Sequence, residues 1–368
     1  MACLCRLDIG NLVAVGKKPL ACGPSVVKMH SATESMKSIR FRQYGEPAQV
    51  LEVDERPVPE PGQDEARVRI LATPVNPSDL LYVRGVYAGV QARFPASVGF
   101  EGVGTVDALG PGVADLAPGQ RVSVVNNQGG NWAEYALVPA RDLIPVAADV
   151  PDEQVASFVV NPASAIVMLR NVLAIPAGEW LLQSAAGSEI GRMIIRLAKR
   201  DGIRTINVVR RRESVAELKE LGADAVIVTA DGPIDEQVRA ITGQQGVRYA
   251  IDPVVGETGT QMFQALHEEG RMLVYGSLTG EPIRIGEDPR YILAGRRVLE
   301  VFWLGYWLRR LDAQERHQLM DAISELVRDG VLETSPGRRY SLDEIGAAVA
   351  QAESRGRQGK VLLIPSLS

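Results

Sequence analysis

Between Glu179 and Leu304 the chain alternates six short β-type runs with four helical stretches, and this alternation constrains the fold more than any other feature of the sequence. EWLLQSAA, RTINVVR, DAVIVTA, VRYAIDPV, GRMLVYGSL and RVLEVFWL read as strands. GRMIIRLAKRDG, ESVAELKELGA, PIDEQVRAITG and GTQMFQALHEEG read as helices. Strands separated by helices pair in parallel through crossovers, so the segment predicts a doubly wound α/β sheet of six parallel strands, a Rossmann arrangement.

The flanks are different. From Lys37 to about Leu143, ARVRILATPV, GVGTVDALG, GQRVSVV and NWAEYALVP alternate with Gly/Pro punctuation, the pattern of a twisted, mostly antiparallel β domain. PDEQVASFVVNPASAIVMLRNV carries apolar residues at helical spacing, with Asp152 as N-cap after Pro151. Beyond Leu304, LDAQERHQLMDAISELVRDG predicts one long helix, and the last stretch a strand, a helix and a closing strand KVLLIP. At 368 residues two cores are expected. The β domain takes 36–157 and 303–368, and the parallel sheet takes 158–302.

Residues 1–35 are expected to be an extension, with the natural start at Met36. They hold all three cysteines (Cys3, Cys5, Cys22) and lack a strand or helix period or the basic n-region of a secretion signal. The chain has 40 Lys+Arg and 45 Asp+Glu; residues 1–35 hold four and two of them, leaving 36 against 43 from Met36 onward. This acidic balance lacks the footprint of a nucleic-acid binder. The cysteine-free body excludes thiol chemistry and suits the cytoplasm, with the mitochondrial matrix as the alternative. No apolar run is long enough to span a bilayer.

In WLLQSAAGSEIGRMIIRLAK a strand turns tightly into a helix. In register with G-x-G-x-x-G, the glycine positions fall on Ala186, Ser188 and Gly191, small residues that let backbone N–H groups approach a pyrophosphate. Such a turn also occurs in α/β proteins without nucleotide. The end of the second strand is more telling. Where an NAD-binding chain places an acid for the ribose, this one has Arg210, Arg211 and Arg212, which suit a 2′-phosphate by charge and geometry. NADPH is therefore the expected cofactor.

The arrangement resembles the medium-chain dehydrogenase/reductase superfamily through RPVPEPGQDEARVRI, GFEGVGTVDALG, PGQRVSV, NWAEYALVP and the later sheet. The resemblance covers Met36 to the end and implies a GroES-like domain beside the Rossmann sheet. Many members bind catalytic zinc. Here their first cysteine position reads Asn76, and their Gly-His-Glu reads Gly99-Phe100-Glu101. His30 lies in the extension, and His267 and His317 are expected on surface helices, so no metal site is expected.

Within the zinc-free branch the chain looks most like NADPH-dependent 2-enoyl thioester reductases of fatty acid metabolism, through NPSDLLYVRGVY, VNPASAIVML, TINVVRRR, YGSL and VFWLGYW. The resemblance implies Tyr87 as catalytic tyrosine, beside Asn76. It implies NADPH positions at Asn161, Gly187, Ser188, Glu189, Ile190, Gly191, Arg210 to Arg212, Tyr275, Gly276, Ser277, Leu278, Phe302, Trp303, Leu304 and Lys360. The chain departs from the family at Arg211, usually an acid, and at Ser164-Ala165-Ile166, usually Thr-Ala-Tyr, which changes the wall expected near the nicotinamide. The implied substrate is an acyl thioester of coenzyme A or acyl carrier protein.

In that reaction a phenol would donate to the carbonyl oxygen as enolate charge builds and aid protonation. From the residues alone, Tyr87 reads first as a turn-adjacent packing residue with a wet hydroxyl; the family resemblance reverses that reading. Tyr82, in a helical turn, reads as packing, and Tyr275 at a strand tip as a cofactor contact. Phe302, Trp303, Tyr306 and Trp307 could line an acyl pocket or a domain junction. Two rival functions stand: an NADPH:quinone oxidoreductase, with a flat acceptor site, and a cofactor-binding protein without turnover. The β-branched edge run Arg297–Leu304 predicts a homodimer.

Overall fold

The computed structural model describes residues 34–87, 89–146, 149–285, 295–354, 356–357 and 359–367. Residues 1–33, most of the expected extension, lie outside the described residues. The first strand, β1 (Ser35–Phe41), already includes Ser35 and Met36, which pair with Pro57 and Arg56 of β2 (Glu52–Pro57). With β4 (Ala96–Ser97) they make a three-stranded sheet in the order β2-β1-β4.

The expected Rossmann sheet is present. Strands β9 (Trp180–Gln183), β10 (Arg204–Val209), β11 (Ala225–Val228), β12 (Val247–Asp252), β13 (Leu266–Val274) and β14 (Val298–Val301) are all parallel, in the order β11-β10-β9-β12-β13-β14. The order reverses between β9 and β12, which opens a crevice at the C-terminal ends of these strands. Ser184 and Asp252 close the base of this switch point. The Asp252 carboxylate accepts from the Ser184 hydroxyl and from the N–H groups of Val254 (2.8 Å) and Val255 (2.9 Å). Val255, a β-branched residue, is held at φ +60°, a strained conformation that these bonds help to fix.

The second sheet is the GroES-like one, with β15 (Pro336–Tyr340), β16 (Lys360–Leu363), β3 (Glu65–Pro74), β5 (Glu101–Leu109), β6 (Arg121–Val125) and β8 (Leu143–Pro145) in that order, and β7 (Tyr135–Pro139) on β3. β16 is buried along its whole length and runs antiparallel to the end of β3, pairing Leu362 with Pro74, so the C-terminal strand completes a sheet begun about 300 residues earlier in sequence. One large core, including Val103, Phe158, Met168, Leu181, Ile194 and Leu362, joins the inner faces of both sheets.

Two expectations about helices are corrected. The stretch read as one helix from Pro151 is three pieces: α3 (Asp152–Ala156), α4 (Val160–Ile166) and a π-type turn (Val167–Val172). Asp152 is the first helical residue rather than the N-cap, which is Pro151; its carboxylate is taken by Arg121 at 2.6 Å. The helix expected through His267 ends earlier: α8 spans Gly256–Gln264, and His267 is the second residue of β13, because Leu266 pairs with Val247.

Helix α5 (Glu189–Arg200) follows β9 across a tight turn. A Cβ built at Gly191 would lie 2.6 Å from the Ala186 carbonyl oxygen and 2.8 Å from that of Ala185, so only glycine lets the helix sit this close. Gly191→Ala is expected to cost about 1–3 kcal/mol by overpacking, read as a lower urea midpoint; an unchanged midpoint would show that the turn relaxes freely.

Candidate active site

Helix α2 (Pro77–Val83) is set against β5 by a buried polar cluster. Its N-cap, Asn76, is 2% exposed, and both polar atoms of its side chain are engaged: Nδ2 donates to Glu101 Oε1 (2.8 Å) and Oδ1 accepts from Lys360 Nζ. Glu101 Oε2 accepts from Val160 N–H (2.8 Å) at the start of α4, and its backbone oxygen from the Thr73 hydroxyl (2.7 Å). Asp79 Oδ2 accepts from Asn76 N–H (2.8 Å), and Oδ1 from Phe100 N–H (3.1 Å). One amide thus bridges an ammonium and a carboxylate.

Burial shifts all three ionisable groups. It pushes the Asp79 carboxyl up to about 7, against the pull of the Asn76 and Phe100 N–H groups and with a further push from Glu101. It raises Glu101, opposed by Lys360, and lowers Lys360, opposed by Glu101. Desolvation disfavours every charge here, and only mutual contacts hold the cluster together.

Tyr87 lies just beyond α2. Its ring is 5.4 Å from that of Phe100, and its hydroxyl oxygen accepts from Trp303 Nε1–H at 3.1 Å. With the lone pair so engaged, the phenol's own proton is left to donate. Burial raises the Tyr87 hydroxyl, so it stays protonated at neutral pH. Trp303 is gripped in turn. Its ring passes over Gly89 (φ +87°), where a Cβ would lie 2.5 Å from it, and Arg309 stacks 4.6 Å from its centroid.

A cleft of about 640 Å³ opens at the switch point. Gly187, Ser188 and Glu189 line it from the start of α5, Arg210 and Arg211 from the end of β10, and Leu278 from the segment after β13. Ser188 caps α5 by accepting from Gly191 N–H (3.2 Å). Neither Arg210 nor Arg211 makes an ion pair among the described residues, whereas Arg212 is bound to Asp231. Val75, Pro77, Leu80 and Leu81 line the cleft from the tyrosine-bearing side.

The other sequence-derived positions fall outside this lining. Lys360 is buried with its ammonium on Asn76, and Asn161 stands next to Val160 in α4. Ile190, Gly191, Gly276 and Ser277 flank the lining residues in sequence. Tyr275 packs against the large core with its hydroxyl buried and unpartnered among the described residues. Tyr82 is buried edge-on to Phe41. The aromatic group divides: Phe302 is core, Leu304 and Trp307 pack against it, Trp303 meets Tyr87, and Tyr306 is 57% exposed. Ala165 and Ile166 are core residues too. The sequence reading overlooked Arg357, half-buried in the cleft wall between Gly356 and the closing strand; flanking glycines were its only signal.

A family description of the alcohol dehydrogenase GroES-like domain matches residues 62–149, and one of the zinc-binding dehydrogenase matches residues 190–325. The mitochondrial enoyl-[acyl-carrier-protein] reductase of Xenopus tropicalis is 31% identical over 88% of this chain and 94% of its own length. The chain belongs to the medium-chain dehydrogenase/reductase family. Among solved members, the quinone oxidoreductase of Pseudomonas syringae superposes with a TM-score of 0.82 at 25% identity, covering 90% of this chain and 100% of its own. Etr1p, solved in complex with NADP and crotonyl-CoA, superposes with a TM-score of 0.78 at 25% identity, covering 90% and 100%. At the two positions that the sequence comparison set against a cysteine and a histidine of zinc-binding members, this chain has Asn76 and Phe100.

Asp79 gives the cluster a pH signature. Its folded pKa of about 7 exceeds the ordinary 3.8, so between pH 4 and 7 the folded chain keeps a proton that the unfolded chain has released, and stability falls as pH rises through that window. Relative to Asp79→Asn, wild type is expected to lose up to about 1.4 kcal/mol per pH unit there. Urea midpoints of both proteins from pH 4.5 to 7.5 test this; parallel curves would show Asp79 ionised throughout.

Proposed function

We propose that this chain reduces the C2–C3 double bond of trans-2-enoyl thioesters with NADPH. The observation that carries the reading is the Trp303 N–H donated to Tyr87, which leaves the phenol proton available just beyond α2, the helix whose Pro77, Leu80 and Leu81 line a dinucleotide-type cleft. The lining suits NADPH: a helix N-terminus with Ser188 and Gly187 for the pyrophosphate, and two guanidiniums, Arg210 and Arg211, without carboxylate partners for the 2′-phosphate. NADPH supplies the hydride that reaches the β-carbon of the substrate.

The chain's own residues then handle charge and proton. As electrons move toward the thioester carbonyl, the Tyr87 O–H donates to its oxygen and stabilises the enolate, which takes a proton at the α-carbon from Tyr87 directly or through water. Trp303 holds the phenol in the rotamer this needs. Asn76, expected with Tyr87 in the catalytic set, fixes α2 through its contacts with Glu101 and Lys360. Residues 36–157 with 303–368 form the catalytic part of this reading, and 158–302 the cofactor part.

The similarity to the Pseudomonas quinone oxidoreductase supports a second reading, reduction of quinones by NADPH. NADPH oxidation at 340 nm with a trans-2-enoyl-CoA and with 1,4-benzoquinone separates the readings. Enoyl turnover is expected to prefer NADPH over NADH and to fall roughly 10²-fold in Tyr87→Phe. Quinone turnover indifferent to the mutation, with enoyl-CoA inert, would establish the second reading; no turnover of either would leave a binding protein.

We propose that the enzyme dimerises through β14. The strand pairs only with β13 among the described residues, and Val298, Leu299 and Val301 are exposed, Val301 by 79%. A bare apolar edge invites a second strand. Light scattering at micromolar concentration is expected to give twice the chain mass; a monomeric mass would exclude the pairing. No helix among the described residues is long and apolar enough to cross a membrane. We place the enzyme in the cytoplasm with the mitochondrial matrix as alternative, which fractionation of cells expressing the full chain decides.

A further inference from the structure

The loop carrying Tyr87 is held at both ends by one short segment, residues 40–46, and most of the grip comes from Tyr44. Gly85 (φ +76°), two residues before Tyr87, lies directly under the Tyr44 ring: a Cβ there would be 2.8 Å from it. Ala92, five residues after Tyr87, donates its backbone N–H to the Tyr44 hydroxyl at 2.9 Å. Phe94 sets its ring edge-on against the same ring, with centroids 5.0 Å apart and an interplanar angle of 76°.

The neighbours of Tyr44 act in the same place. Gly45 N–H donates to the Val83 oxygen at the end of α2 (3.1 Å), and Arg40 to the Pro95 oxygen (2.6 Å). Glu46 binds Arg84 at 2.8 Å, and Arg84 also binds Glu353 at 2.7 Å. The apex is fixed separately, where Tyr87 and Gly89 meet Trp303. A loop pinned at its apex by one hydrogen bond and at its stems by Tyr44 and its neighbours transmits any slack in the stems to the apex. For a group that must meet a carbonyl oxygen at hydrogen-bond distance, a misplacement of about 1 Å is costly.

We infer that Tyr44 is a positioning residue for Tyr87: its ring and hydroxyl clamp the loop from Gly85 to Phe94, so that the phenol proton stands where the substrate oxygen will be. Tyr44 itself is 41% exposed and touches no reacting group. The inference rests on the proposed role of Tyr87, but the clamp has consequences independent of turnover. Arg84 and Arg93 lie at the two stems, and trypsin can cut after either only when the loop is released.

The test uses the full chain as wild type, Tyr44→Phe, Tyr44→Leu, Tyr87→Phe and the double variant Tyr44→Phe/Tyr87→Phe. Tyr44→Phe keeps the ring over Gly85 and loses only the acceptor for Ala92. It is expected to lower kcat for the enoyl-CoA roughly three- to ten-fold, with KM for NADPH unchanged, and to have no further effect in the Tyr87→Phe background. Tyr44→Leu is expected to speed trypsin cleavage at the two arginines at least roughly ten-fold. A kcat loss from Tyr44→Phe that is the same in the wild-type and Tyr87→Phe backgrounds would overturn the positioning role, and unchanged cleavage in both Tyr44 variants would overturn the clamp. If Tyr44→Leu does not fold, the cleavage rate of Tyr44→Phe decides. If wild type does not reduce enoyl-CoA, the proposed reaction fails while the cleavage rates still decide on the clamp.

Discussion

The contact on which the rest of the site depends is the Asn76 side chain between Lys360 and Glu101. Four distant segments meet there: the start of α2, the start of β5, the first N–H of α4 and the first residue of the closing strand. Each buried ion would cost several kcal/mol if left alone. Asn76 is well suited to the centre because an amide presents a donor and an acceptor at once: it satisfies the carboxylate with Nδ2 and the ammonium with Oδ1. An acid in its place would face Glu101 as a like charge. The arrangement fixes α2, and α2 delivers the chain to Tyr87.

The same geometry bears on the proposed use of a phenol at this site. A Lewis acid needs ligands aimed at one point; here the side chains at that place spend their polarity on each other, and burial favours their neutral forms. In the proposed reaction the electrophilic duty falls to Tyr87, a group that is neutral at rest and polarises only when charge appears. Trp303 makes this workable, because an indole N–H can donate but never accept, so the Tyr87 proton has no competing acceptor at that contact.

Much of the fold was legible in the sequence because it rests on local rules. Strands such as RTINVV and helices such as EIGRMIIRLAKR announce themselves by β-branched content and apolar spacing, and their strict alternation leaves few topologies. The failures are where long-range packing overrode local preference. The segment 151–172 has a helical pattern throughout, yet it breaks after Ala156, where α3 lies on β3, β5 and β6 and the start of α4 turns its N–H to Glu101. His267 left its helix because a neighbouring strand captured Leu266.

At the site, residues with one job were easier to foresee than residues with two. Arg210 and Arg211 read as anion ligands and line the cleft with no ion pair among the described residues, while the neighbouring Arg212 is taken by Asp231. Lys360 read the same way by resemblance, but its ammonium is buried on Asn76, a partner 284 residues away that no periodicity could reveal. Trp303 read as part of an aromatic wall, and only the folded chain brings its N–H to a tyrosine 216 residues before it. Tyr44 gave no signal at all, being one aromatic in a polar turn. Composition and pattern specify faces and ends of elements; the hydrogen bonds that orient a reacting group join elements that sequence distance hides, and those contacts are what the chemistry of this site requires.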